Sequence, residues 1–230
     1  MTTRCHRGIR RMLITLAALA LPATLPAQAA DSIYSTVALT APRGETAIRS
    51  GIETARADAQ EAARELDRLK DVRDRVDGRI KVQKADIDAI QSRANLAKKD
   101  GRDSDRADLE LRRKQAELDR KALEEIRSLY DDQIGEMNAK RAWAEARGKS
   151  LDAELELSRR RQERADRTTA DSTTLGRLDA DIQNLEGKML DARKDEASKQ
   201  AEWALRYRDT VAQQINVWRA QTAARAGARP

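Results

Sequence analysis

Residues 48–69 read IRSGIETARADAQEAARELDRL. Alternate steps of four and three from Ile48 land on Ile52, Ala55, Ala59, Ala62, Leu66 and Leu69. They continue through Arg73, Val76, Ile80, Gln83, Ile87, Ile90, Ala94 and Ala97. Thirteen of these fifteen positions are apolar. That alternation keeps one stripe of a helix turned toward a neighbour along its whole length, the signature of a coiled coil. Asp71 with Arg75 and Asp77 with Lys81 add the acid-first spacing that supports a helix. The surrounding composition needs this arbitration. The 230 residues are 37% charged, contain no Phe and have a mean hydropathy of −0.79, which suits either disorder or long solvated helices. Disorder has no reason to keep a seven-residue register, so the sequence predicts a helix over 45–99.

Working outward, the seam ends at Lys98-Lys99-Asp100-Gly101-Arg102-Asp103-Ser104, a glycine stop followed by short polar candidates for a new N-cap. Asp103, Asp105 and Asp108 lack the spacing and terminal glutamate of a calcium loop and read as solvated turn acids. A second helix is predicted over 104–167, with Leu109, Ala116, Leu123, Tyr130, Met137, Ala144 and Leu151 at every seventh position. Its companion positions are mixed, Ile126 and Ile134 against Arg112 and Asp119, and Gly135 and Gly148 mark candidate bends. Arg167 to Thr174, rich in Thr and Asp, predicts another reversal.

The third helix is predicted over 174–222. Leu175, Leu178, Ile182, Leu185, Met189 and Ala192 restore the alternation, and the apolar residues then slip to Ala197, Ala201, Ala204, Val211, Ile215 and Trp218, as though one residue were skipped. Residues 223–230 are expected to fray. The predicted fold class is therefore all-α: an elongated antiparallel coiled coil, either a helical hairpin or three long helices, following a cleaved signal peptide. Reversal about residues 101 and 102 pairs positions that sum to 203, setting Arg73 opposite Tyr130, with its guanidinium on the ring, and Gln83 opposite Arg120.

The N-terminus carries that signal. MLITLAALALPATLPAQAADS, residues 12–32, opens on an apolar run only ten residues long before Pro22, short of the roughly 20 that a membrane span needs. Four arginines and no acid precede it, and Ala27-Gln28-Ala29 follows, so residues 1–29 read as a secretory signal cleaved after Ala29. Arg10-Arg11 is a weak twin-arginine pattern. Residues 30–44 read as an extended or flexible arm, and the expected location is the periplasm or the exterior. Cleavage would remove Cys5 and His6, the sole cysteine and histidine, and four arginines, lowering the balance from 45 against 39 to 41 against 39. A mature charge of +2 gives little draw toward nucleic acid.

Without histidine or cysteine, and without a phosphate-cradling glycine loop or nucleophile elbow, the sequence predicts no catalytic residues, no cofactor and no metal site. What remains is surface. At about 100° per residue, Tyr207 and Trp218 lie about 40° and 60° from Trp203, so all three fall on one side of the last helix as candidate partner contacts. Trp143 falls near Trp203 in an antiparallel layout, and packing between the two is the simpler reading of that residue. The leading functional expectation is a non-enzymatic scaffold, spacer or adaptor acting by protein contacts or self-association. A holdase-type chaperone for unfolded polypeptides and a peripheral binder of anionic membrane are the alternatives.

Overall fold

A computed structural model describes residues 43–167 and 171–227. The expected signal, nearly all of the arm, Cys5 and His6 lie outside the described residues. Three helices make up what is described: α1 Glu45–Lys99, α2 Asp103–Asp166 and α3 Ser172–Gly227. At 1.5 Å per residue they run to about 80 to 95 Å. Helix α1 packs on α2 and α2 on α3, whereas α1 and α3 do not meet. Both packed pairs are antiparallel, as Arg159 on Glu45 and Arg164 on Asp179 mark at one end of each.

All fifteen positions of the α1 stripe are buried or half-buried, and so are the seven heptad positions of α2 from Leu109 to Leu151. Their tightest cluster is Ile48, Ile52 and Leu151. Alignment about a sum near 203 is seen in Arg127 on Asp77 at 3.0 Å and Arg147 on Asp58 at 3.7 Å. The two polar breaks find partners other than those anticipated. Arg73 donates to Asp131 at 3.0 Å, with Asp77 at 3.9 Å, because a carboxylate one position along outcompetes the Tyr130 ring for a guanidinium. Gln83 donates to the Ala116 carbonyl at 3.3 Å and not to Arg120. Among the described residues the cation stacked on an aromatic ring is Arg147, 5.8 Å above Trp143.

The first reversal is closed by backbone alone. Gly101 has φ +70°, and the N–H groups of Gly101 and Arg102 donate to the carbonyls of Lys98 and Ala97 at 3.3 and 2.9 Å. These two bonds satisfy the last carbonyls of α1 and require the left-handed residue between them. The anticipated N-cap side chain is absent: α2 begins at Asp103, one residue early, and Arg102 instead holds Asp100 and Asp105. At the start of α3, Asp171 Oδ1 accepts the Thr174 N–H at 2.6 Å, which holds its carboxyl below the ordinary range.

The candidate bends at Gly135 and Gly148 lie within an uninterrupted helix. At Gly148 the small residue lets α1 approach: an added Cβ would sit 3.9 Å from that of Ala55. Helix α3 continues to Gly227, five residues beyond its anticipated end, because Ala224 is buried on α2 and its carbonyl accepts from Gln115 at 2.9 Å.

Two variants test this account. Leu151→Ala should destabilise the fold by about 2 to 5 kcal/mol, read from urea denaturation, since it empties the Ile48 and Ile52 cluster. Asp171→Ala should lower the melting temperature at neutral pH, and the difference from native should shrink as pH falls through the depressed carboxyl pKa, below 3.8, where the native cap is itself protonated.

Candidate partner-binding surface on the third helix

Helix α2 has a second packed stripe. Leu118, Ala122, Leu129, Glu136, Ala139, Trp143, Ala146, Ser150 and Leu157 are buried or half-buried. At 100° per residue this stripe lies about 160° around the axis from the one that meets α1. The three helices therefore lie side by side with α2 in the middle.

Helix α3 meets this stripe along a heptad seam broken at one position, Arg206, which is exposed. Leu178, Ile182, Leu185, Met189, Ala192, Glu196, Lys199, Trp203, Thr210, Gln213, Val217, Ala220 and Ala224 are all buried or half-buried. The anticipated slip does not occur. The apolar residues change face at Ala197, but the packed face stays in register through polar Glu196, Lys199 and Gln213. Trp203 anchors that register: its ring stacks on Trp143 with centroids 5.0 Å apart and planes 8° from parallel. Turning the helix by one residue, about 100°, would break the stack.

The consequence is an apolar stripe with no neighbour. Ala197, Ala201, Ala204, Val211, Ile215 and Trp218 repeat the four-three alternation on the far side of α3 and are all exposed. Trp218 is 66% exposed, Ile215 49% and Leu205, nearer the middle of the stripe and at its margin, 53%. The three aromatic candidates thus separate. Trp203 is an internal contact of α2 and α3, Trp218 belongs to the open stripe, and Tyr207, exposed as well, lies at the edge between the two faces. Val211 and Ile215, which the heptad pattern places on the packed seam, complete the open surface, and Leu205, off both stripes, lies at its margin.

Acids of α2 face the packed side of the same segment. Burial pushes the Glu136 carboxyl above its ordinary range, while the Thr210 hydroxyl, Lys140 and the Trp203 indole pull the other way. Their geometry is too poor to close a hydrogen bond to Thr210 Oγ1 or Trp203 Nε1, and both atoms are buried without a partner. Asp132 is raised too, first by desolvation, then by Asp209 and Asp131, against Arg206. At the other end of the pairing Glu154 takes Arg43 at 2.5 Å and Arg193 at 3.3 Å, joining α2 to α3 and to the entry of α1.

Elsewhere the surface is open and charged. One shallow groove at the Gly101 turn is lined by Arg93, Arg102, Asp105 and Asp108, and another at the opposite end by Glu45, Arg159, Glu163 and Arg167. Among the described residues no group of three or more His, Cys, Asp or Glu side chains is placed to hold a metal ion, and no helix is long and apolar enough to cross a membrane. No protein-family model, no curated protein and no solved structure matches the chain.

The Glu136 environment has a measurable pH signature. A carboxyl whose pKa is raised by folding binds its proton more tightly in the fold than in the unfolded chain. Stability therefore rises as pH falls through the raised value toward 4.5, the ordinary one. Glu136→Gln should raise the melting temperature at pH 7 and lose that advantage near pH 4.5. A melting temperature at pH 7 unchanged or lowered by the substitution would remove the strain assigned to this carboxylate. Trp203→Ala, by removing the stack, should cost about 1 to 3 kcal/mol at either pH.

Proposed function

We propose that this chain is an exported, non-enzymatic coiled-coil protein of the cell envelope that works by protein contacts, as a scaffold or adaptor. The observation that carries this reading is the open stripe of Val211, Ile215 and Trp218 on α3, with Leu205 at its side. A solvated helix has no use for large apolar residues at heptad spacing on its outer face, and a helix partner does. The export signal at residues 1–29 supports placement in the envelope.

The two grooves are shallow, one setting Leu96, Ala97 and Leu109 beside Arg93 and Asp105 and the other lined by charged and polar side chains, whereas capture of unfolded chains, the holdase reading, calls for an enclosed apolar cleft. The basic residues bordering the stripe, Lys194, Arg208 and Arg219, are spread over its whole length, and the central one, Arg208, pairs with Asp209 at 3.0 Å, so the charge offered to anionic lipid is sparse.

In-cell photo-crosslinking from position 218 tests the proposal. Discrete protein adducts in the envelope fraction are expected, lost when Ile215 is changed to Asp in the same chain. Lipid adducts alone, or no adducts, would overturn it. Secretion with Met1 retained would remove the assigned cleavage after Ala29.

A further inference from the structure

The open stripe is divided by size. Its N-terminal half is alanine, at Ala197, Ala201 and Ala204, and its C-terminal half is large, at Val211, Ile215 and Trp218. Both halves are exposed and on one face of α3. The halves are mirror-spaced: 197 with 218 and 204 with 211 sum to 415, and 201 with 215 sums to 416.

Resting on the proposal that this stripe is a protein contact, the geometry points to a second copy of the same chain as its partner, docked antiparallel through α3 about a two-fold axis between Tyr207 and Arg208. In that arrangement Trp218 lies over Ala197 of the second copy, Ile215 over Ala201 and Val211 over Ala204. Each layer then holds one large and one small side chain, the condition for interdigitated packing at constant helix separation. On one margin Leu205 falls against Ala212, repeating the pattern. On the other the two exposed Tyr207 rings meet at the axis. Parallel, in-register pairing would instead crowd tryptophan on tryptophan at one end and leave alanine facing alanine at the other.

At the axis Arg208 of each copy faces its counterpart, since 208 with 208 sums to 416, and the Asp209 carboxylate 3.0 Å from each guanidinium offsets that repulsion. A two-fold contact of this kind is self-complementary and closes at two copies. From Ala197 to Trp218 the stripe is about 32 Å long, and at about 10 Å breadth two copies cover about 600 Å². That area belongs to reversible association, so a concentration-dependent dimer is expected.

The test uses the full chain with Cys5→Ser. Sedimentation equilibrium should show monomer and dimer exchanging. Ala197→Trp adds apolar surface and would strengthen any unspecific adhesion, but it sets tryptophan against tryptophan and should weaken the specific dimer by about tenfold or more. Ala197→Trp with Trp218→Ala swaps large and small and should restore it. Disulfide formation gives the direction: Ala204→Cys chains mixed with Val211→Cys chains should form mixed dimers on oxidation, and neither alone should link efficiently.

Linkage within each single variant, or failure of the swap to restore association, would overturn the antiparallel alignment. A chain monomeric throughout the micromolar range would overturn self-pairing. If crosslinks from position 218 in cells then reach a different protein, the stripe still serves as a protein contact and only the identity of its partner is refuted. Absence of any protein crosslink refutes both.

Discussion

Everything in this arrangement depends on α2 being packed along two nearly opposite faces. A single helix in contact with two others must bury about half its circumference while keeping enough charge to remain soluble in between. The chain meets this with small residues. Ala116, Ala122, Ala139, Ala144, Ala146, Gly148 and Ser150 are buried along α2, so neighbours come close on both sides without large side chains competing for room. Larger residues alternate with them, among which Leu151 packs in the tightest cluster with α1 and Trp143 stacks on Trp203 of α3. Those contacts set the registers, and the alanines follow.

The ion pairs across the α1 and α2 boundary have a different role. Arg159 with Glu45, Arg127 with Asp77 and Arg73 with Asp131 are exposed or half-exposed, and pairs of that kind are worth about 0 to 1 kcal/mol each. Their value is selective. A helix slipped by one heptad would bring the apolar stripes together again but would set these charges against the wrong neighbours, so the pairs discriminate between packings that apolar burial alone leaves nearly equal.

What was legible in the sequence follows from how each face is built. The α1 stripe stood out because its apolar residues and its buried residues are the same set, and the Gly101 reversal because a left-handed residue leaves a compositional mark. The second face of α2 was hidden: Glu125, Asp132 and Glu136 interrupt it, and a periodicity search that rewards apolar residues passes over them. Helix α3 misled in the opposite way. Its apolar residues past Ala192 belong to the open face, so following hydrophobicity led off the packed seam at the place where burial continued through Glu196, Lys199 and Gln213. No periodicity separates a stripe that is covered from one that is waiting to be covered, and that distinction is the candidate site. The stacked tryptophans were anticipated because two aromatic residues in so aromatic-poor a chain, brought level by antiparallel reversal, have few other neighbours.

The backbone-closed turn at Gly101 has a kinetic side. The contacts nearest to it, between the end of α1 and the start of α2, close loops of only a few residues and lose little chain entropy in forming, whereas Ile48 must wait for Leu151 across a separation of about a hundred. Loop entropy therefore favours a zipper that starts at the turn and runs outward, each layer shortening the loop for the next. Because α1 and α3 share no contact, the second zipper, from the reversal before Ser172, runs on the other face of α2 without waiting for the first to finish.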